Sequence, residues 1–414
     1  MEDTRNYSIG DFKLNYLTLT SQRGTLDLTQ NLTAASIYES IFTPGTVCDI
    51  EVSDTQDFLG NLKLSGDEIV LFSITVPGSV TADFLFSLYE LAGLESSASQ
   101  KSKTYTLKCV SLEAMYAKSF YVQKSYISLC SEIVQDIHKN YLNSVKPINI
   151  ENTIGPQNIL IPHKNPFDAI NLVRKRSVSP TNKSSSYVYF ENRQNEKQTY
   201  NFVTIESIFR NNKIIKSFQQ SSAINTTIFN DKSNNIIAYK VPNQFSSIEK
   251  IALGGPRKIT TYNFTTQEFI TNIIQTLDSA FSTGGTGTDT SNFFKNLFYR
   301  AQIPPQSIIP IDISQRASTN IPLATPNLQA YLSVLMQNSM KIRVPGDTLL
   351  TSGILVNCDI PNKTGTTGPL KLDPLLSGTF LVSRIHHRIG LLQERPRYTC
   401  VMECLKGSYN ESIQ

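Results

Sequence analysis

Hydrophobic and polar positions alternate from the start of the chain. Phe12, Leu14, Tyr16 and Thr18 fall on one side of an extended segment, Gly24 turns it, and Leu26 and Leu28 return. This predicts a β-hairpin over residues 10–31 with Gln22-Arg23-Gly24 at its tip. Ala34 to Ile41 reads as a short amphipathic helix, with Thr33 as N-cap and Pro44-Gly45 as its end. Strand-like runs follow at 46–53, 68–76 and 83–91, then a polar loop from Ser96 to Ser102 and a closing strand at 104–112. Residues 1–112 thus read as a compact antiparallel barrel or sandwich.

The period changes after Leu112. Ile127, Cys130, Ile133, Val134, Ile137 and Tyr141 lie at helical spacing. Asn165-Pro166-Phe167 opens a second helix, with Asn as cap and Pro at the first position, and Arg174-Lys175-Arg176 closes it where cations suit the helix dipole. Tyr187–Glu191 and Thr199–Val203 predict a strand pair, so 113–208 reads as a small α+β domain. Strands resume over 209–265. Phe269 to Phe281 carries a helical signal, Ser282 to Ser291 is a Gly- and Thr-rich loop, and Leu328 to Met336 a short helix. Residues 266–337 read as an insertion.

The last part of the chain then repeats the vocabulary of the first. Val356-Asn357-Cys358-Asp359-Ile360 matches Val47-Cys48-Asp49-Ile50, and Leu370-Lys371-Leu372 matches Leu62-Lys63-Leu64. Gly378–Ile385 matches Gly66–Ile74, and Tyr398-Thr399 matches Tyr105-Thr106. One β module is used twice, its second copy formed by 209–265 and 338–406, with 407–414 as a tail. The two Cys-Asp-Ile triplets are expected on equivalent strands.

Composition narrows the function classes. Charged residues are 17% of the chain and the net charge is +4, too little for a nucleic-acid-binding face. No apolar run is long enough to span a membrane, and Met1–Arg5 begins no signal peptide. The six cysteines form no Cys-x-x-Cys and are expected as free, buried thiols. The four histidines are a poor supply for catalysis. His386 and His387 are adjacent on a strand and point to opposite faces, so they cannot share a metal. His138 falls on the polar side of the first long helix, and His163 in a loop before Pro166. The glycine clusters at Gly254-Gly255 and Gly284–Gly287 are not phosphate loops, and Asp57 with Asp67-Glu68 is no more than any acidic chain offers. No catalytic, metal or cofactor site is expected, and no cofactor.

The ordered set Ile133–Ile137, Ile150–Gly155, Ile161–Ile170, Tyr187–Asn192 and Phe202–Glu206 resembles the baseplate central hub proteins of contractile-tailed bacteriophages, the T-even hub type. The resemblance covers residues 10–265 and 338–406. It implies an α+β, mainly β fold, with two tail-tube-like antiparallel β-barrel domains, a small α+β domain between them and an insertion in the second barrel. It implies a homotrimer that adapts a six-fold tail tube to a three-fold spike and leaves a channel for the genome. The partners it implies are the chain itself, a spike protein, tail tube or tube-initiator proteins, other baseplate proteins, and DNA in transit. It also implies a virion location after assembly in the host cytoplasm. A duct for DNA should not hold phosphates, so its wall is expected to be polar and poor in lysine and arginine. The candidate lumen residues are Asn15, Thr18, Thr20, Gln22, Thr25, Asp27 and Thr29 of the first hairpin. Three other readings stand beside the hub: a tail-tip peptidoglycan hydrolase, a carbohydrate-binding adhesin, and the equivalent hub of a cellular contractile injection system. The absence of Trp weakens the adhesin, although 18 Tyr remain.

Overall fold

The computed structural model describes residues 10–58, 66–96, 102–181, 184–194, 197–220, 234–242, 339–362, 376–390 and 397–406, the strands at 257–263, 268–274 and 306–312, and single residues at 60, 64, 332, 335, 372 and 373. The first module holds β1 (Lys13–Ser21), β2 (Gly24–Asp27), β3 (Leu32–Ser40), β4 (Val47–Asp54), β5 (Ile69–Thr75), β6 (Thr81–Ser96) and β7 (Lys103–Ser111). Its strands lie in the order β2-β1-β5-β6-β7-β4-β3, and every pair is antiparallel. The expected hairpin is present, with Thr18 opposite Asp27 and Ser21 opposite Gly24. Its inward face differs from the expectation. A β-bulge between Leu14 and Tyr16 turns the strand over, so the buried residues beyond it are Leu17 and Leu19, while Tyr16 is 38% exposed.

The expected helix over Ala34–Ile41 is instead the strand β3. Ala35, Ile37 and Glu39 are buried at period two, and β3 has neighbours on both sides. Two ladders satisfy its backbone more completely than one isolated short helix could.

The α+β domain follows as α1 (Leu112–Ser119), β8 (Val122–Ser128), α2 (Cys130–Asn140), β9 (Ile148–Ile150), β10 (Gln157–Lys164), α3 (Pro166–Arg174), β11 (Tyr187–Gln194), β12 (Lys197–Thr204) and α4 (Ile205–Asn211). The first long helix begins at Cys130, because Ile127 belongs to β8 and is 75% exposed. Glu132 fixes that start by accepting from the Leu129 N–H (3.2 Å). The cap at Asn165 is as expected: its side chain accepts from the Asp168 N–H, with Pro166 in the first turn. β10 pairs with β8, and β9-β12-β11 form a second small sheet. The apolar faces of α2 and α3 close over them, with Ile133, Ile137, Ile170 and Val173 fully buried among Tyr187, Tyr200 and Phe202.

The second module contains β13 (Ile214–Gln219) and β14 (Ala238–Lys240). Three strands, β15 (Arg257–Asn263), β16 (Glu268–Ile274) and β17 (Gln306–Asp312), form a sheet of their own in the order β16-β15-β17. A helix was expected over Phe269–Phe281, of which the described residues reach Ile274. Full antiparallel pairing with β15 from Asn263–Glu268 to Arg257–Ile274 makes them a strand. The expected loop at 282–291, the short helix at 328–336 apart from Leu332 and Leu335, and the tail at 407–414 lie outside the described residues. The module closes with β18 (Ser339–Pro345), β19 (Leu355–Asp359), β20 (Gly378–Gly390) and β21 (Arg397–Leu405).

The two modules share one connectivity. In the first, β3 pairs with β4, β4 with β7, β7 with β6 and β6 with β5. In the second, β14 pairs with β18, β18 with β21, β21 with β20 and β20 with β19. All eight pairs are antiparallel, and the sequence order is kept: β3-β4-β5-β6-β7 against β14-β18-β19-β20-β21. Burial stays in phase, since Tyr105 of β7 and Tyr398 of β21 are both buried. The repeat is therefore present, but its expected alignment slipped by one strand. Cys48 lies on β4, whose counterpart is β18. Cys358 lies on β19, whose counterpart is β5, so the two Cys-Asp-Ile triplets are not equivalent. Leu62, Lys63, Leu370 and Lys371 lie outside the described residues. The extra β15–β17 sheet is set into the connection that corresponds to the β3–β4 turn.

β3 pairs with β20, which joins the modules into one continuous sheet. Their apolar residues merge into one cluster, in which Phe72, Phe86, Val356 and Met402 are all fully buried. Burying each such side chain contributes about 1.5–3 kcal/mol.

Candidate functional site

The candidate lumen residues divide by what they do. Thr18 and Thr20 of β1 face Asp27 and Thr25 of β2 on the outer side of the hairpin, and the Thr20 and Thr25 hydroxyls are 3.3 Å apart. Gln22 is exposed at the tip. Asn15 is used within the sheet, donating to Ser73 Oγ (3.1 Å) and Thr75 Oγ1 (2.8 Å). Thr29 is also used locally: its hydroxyl accepts from the Leu17 N–H (2.9 Å), and its N–H donates to Asp27 (2.9 Å). The hairpin sits at the end of the sheet beyond β5, away from the strands that run across both modules.

Those strands run β6-β7-β4-β3-β20-β21-β18-β14. One face is the core. The other is solvent-accessible, and it carries charge in rows. Glu90, Lys108, Asp49 and Ser36 stand opposite one another in sequence, and Ser36 stands opposite Arg388. A second row runs Ser40, Arg384, Glu403, Lys341, Lys240. Lys108 pairs with Glu90 at 3.1 Å, while Arg384 (3.4 Å) and Lys341 (3.7 Å) share Glu403. The second module's part of this face is the more basic one.

A buried polar seam holds the modules and the α+β domain in register. Glu39 of β3 lies 3.4 Å from Arg193 Nε and 3.7 Å from His387 Nε2, and it accepts from the Ser352 N–H (3.0 Å). Arg193 also donates to Leu350 O (2.8 Å) and stacks over Phe84. The Tyr398 hydroxyl is 2.7 Å from His387 Nδ1 and donates to Asp347 O (3.3 Å). Asp347 binds Lys216 at 2.6 Å and accepts from Ser79 of the first module at 2.6 Å. On the other side of the seam Lys146 binds Glu113 (2.8 Å) and Glu191 (2.6 Å), and Glu191 accepts from the Thr46 N–H (3.2 Å).

Burial raises carboxyl pKa values, and a nearby cation opposes it. Burial pushes the Glu113 carboxyl up, but Lys146 and Ser144 bring it below the usual value. For Glu191 burial wins over Lys146, and its carboxyl is raised. One ammonium can hold only one of two buried carboxylates fully. Burial also pushes the Asp347 carboxyl up, but Lys216 and Ser79 bring it below its usual value. Burial, with Arg193 beside it, keeps His387 neutral well below its ordinary range. His386 lies on the opposite face, as its position requires, and is stacked on Tyr38 at 4.2 Å. Its pKa falls to about 4, from burial and the Arg388 charge.

His138 was expected on a polar helix face. It is buried, within 2.9 Å of the Tyr189 hydroxyl and 3.2 Å of Lys146 O, because the small sheet covers that side of α2. His163 was expected in a loop, but it lies near the end of β10 and stacks on Tyr121. Among the described residues no group of three or more His, Cys, Asp or Glu is placed to hold a metal. The seam has charges without access, so its chemistry is static: it fixes geometry. Sequence reasoning missed it, since Glu39, Arg193 and His387 are far apart in the chain. A Glu at a buried parity position was the one local signal.

No protein-family model matches the chain, and no curated protein matches it. Solved structures do. The tail protein from Neisseria meningitidis MC58 superposes with a TM-score of 0.55 at 9% identity, over 96% of this chain and 97% of that one. The prophage MuSo2 43 kDa tail protein from Shewanella oneidensis gives 0.52 at 11% identity, over 95% of this chain and 98% of that one. This chain has the fold of those tail proteins. The likeness runs over nearly the whole of both chains. The fold is α+β, mainly antiparallel β, and tail-tube-like.

Proposed function

We propose that this chain is the structural subunit of a phage tail baseplate hub, a homotrimeric ring that adapts a six-fold tail tube to a three-fold spike and leaves a channel for the genome. The observation that carries this reading is the pair of equally connected β modules fused through β3 and β20. Three such chains would present six similar modules to a tube and three identical faces to a spike. The buried seam supports it, because a passive adaptor needs its modules held at one angle. In this reading residues 1–112 and 209–265 with 338–406 are the tube-like domains, 113–208 the α+β domain, 266–337 the insertion, whose sheet also takes in β15 at 257–263, and 407–414 the tail. The partners are two further copies, a spike protein, tube or tube-initiator proteins and other baseplate proteins. The location is the virion tail, reached after assembly in the host cytoplasm, and no catalysis is required.

We assign the channel wall to the solvent face of the continuous sheet, with the hairpin at its margin; that face carries Lys108, Arg384, Arg388 and Lys341, so it is more basic than the wall expected from the sequence. Ion pairs to Glu90 and Glu403 offset part of the basic charge on that face. A duct of this kind should bind duplex DNA weakly and release it steeply with salt. The test is the mass of the purified particle in solution. Three chains per particle fit the hub, and a monomer at all concentrations would contradict it.

A further inference from the structure

Three side chains converge at one point inside the buried seam, each from a different part of the chain. Glu39 comes from β3 of the first module, Arg193 from β11 of the α+β domain and His387 from β20 of the second module. Their side chains are 1%, 6% and 1% exposed. Arg193 Nε lies 3.4 Å from Glu39 Oε1, and His387 Nε2 lies 3.7 Å from the same oxygen. Neither nitrogen makes a hydrogen bond among the described residues. Elsewhere the same side chains are engaged. Glu39 Oε2 accepts from the Thr351 hydroxyl and the Ser352 N–H, Arg193 donates to Leu350 O, and His387 Nδ1 lies 2.7 Å from the Tyr398 hydroxyl. Native interiors satisfy nearly all of their buried polar atoms, so two unpaired nitrogens aimed at one carboxylate call for a ligand.

Counting protons defines that ligand. The Tyr398 hydroxyl has one proton and stands 3.3 Å from Asp347 O, a carbonyl that can only accept. The hydroxyl donates there, so His387 Nδ1 carries the proton that joins the ring to the hydroxyl oxygen. His387 Nε2 is then a bare lone pair, and it faces a carboxylate oxygen, acceptor against acceptor. Arg193 Nε–H beside them is a donor without a bond. We infer that the seam holds one water molecule between Glu39, Arg193 and His387. The water accepts from Arg193 Nε–H and donates one proton to Glu39 Oε1 and the other to His387 Nε2. Three bonds are the usual number for a buried water. Polar atoms held slightly beyond direct reach are the setting in which a water bridges. The spacing permits it, since a water about 2.9 Å from both ends of the 3.7 Å pair stands about 2.2 Å to one side. An ion fits worse: the carboxylate and the guanidinium already balance, so an anion would meet Glu39 and a cation Arg193. The water ties one residue from each of the three parts together. It leaves only when the seam opens, so its residence time measures how often the joint between the modules opens.

The test is a crystal structure of the full chain at a resolution that orders waters, with a second crystal soaked in rubidium bromide. The expected result is one density peak about 2.7–3.2 Å from Arg193 Nε, His387 Nε2 and Glu39 Oε1, without anomalous signal from either ion. A direct bond from Glu39 to either nitrogen with no peak beside it would overturn the inference. An anomalous peak at the site would do the same. Nitrogen-15 NMR of the imidazole rings near pH 7 gives an independent reading. His387 should be neutral with its proton on Nδ1, and a proton on Nε2 would overturn the assignment of donors and the inference with it. Oxygen-17 relaxation should count one long-lived water fewer in His387→Leu than in the native chain, and equal counts would contradict the site. If His387→Leu does not fold, the crystal and the ring spectra still decide.

Discussion

Lys146→Met removes the one cation between two buried carboxylates and keeps most of the side-chain stem. Two charge-assisted bonds are lost, of 2.8 and 2.6 Å, and Glu113 and Glu191 stay behind with side chains 3% and 1% exposed. Such bonds contribute about 1.5–3 kcal/mol each. Stranding a buried charge brings the typical total to about 3–5 kcal/mol. Urea unfolding at pH 7 and fixed protein concentration reads it as a shift in midpoint at unchanged slope. Adding Glu191→Gln removes one stranded charge and keeps an acceptor for the Thr46 N–H, so the double variant should regain at least about 1 kcal/mol. Acidification to pH 5 should also shrink the deficit, because burial already raises Glu191 and its protonation removes the same charge. A loss below about 1 kcal/mol, the scale of a surface pair, would refute the reasoning. So would a double variant no better than the single.

Three further outcomes are expected. Gly346→Ala should cost about 1–3 kcal/mol in thermal or urea unfolding, because a Cβ there would lie 2.1 Å from the buried Tyr398 ring; a neutral result would mean that the ring gives way. Stability should fall on mild acidification, because burial holds His138 and His387 below their ordinary value. The neutral folded form of His387 contributes stability above about pH 6.5 that is lost as the unfolded chain takes up its proton, about 1.3 kcal/mol between pH 7 and 5.5, and His138 adds to it in the same direction. The raised carboxyls of Glu191 and Glu206 act in the opposite sense, so the readout is the difference made by His387→Gln, which should remove about 1.3 kcal/mol of that fall. All six cysteines are buried, with Cys48 and Cys109 directly opposite each other on β4 and β7. Thiol titration should find almost none reactive in the folded protein and six in denaturant, and four in denaturant would reveal a disulfide.

Much of the fold was legible where one local rule dominated. The Asn165-Pro166 cap, the β11–β12 hairpin and the first hairpin each followed from a signal a few residues long. β3 did not. Ala34 to Ile41 is short enough to fit either period, and Glu39 broke the apolar alternation. It is buried because Arg193 and His387 arrive from elsewhere, which no local pattern contains. The repeat was visible as vocabulary, and Tyr105-Thr106 against Tyr398-Thr399 was the right pairing. Matching Cys48-Asp49-Ile50 to Cys358-Asp359-Ile360 was misleading, because Val, Cys and Ile fit any half-buried strand. Strand partners, not residue identity, fixed the alignment. The bulge at Leu14 explains why the hairpin's faces were exchanged halfway along: one extra residue inverts every later side chain. The candidate lumen face was legible only as polarity. Which sheet runs across both modules depends on the β3–β20 pairing, between strands far apart in the chain.

The most direct test of the ring is an electron-microscopy reconstruction of the purified protein. Three copies, each adding the run from β6 to β14, would make a wall of roughly 24 strands. At about 4.8 Å per strand this gives a backbone diameter of at least about 37 Å, and roughly 25 Å once side chains project inward. The account predicts a three-fold particle with an open hole of that size, lined by the face that carries Glu90, Lys108, Arg384 and Glu403. A monomer with a cleft, or a ring closed at its centre, would contradict it.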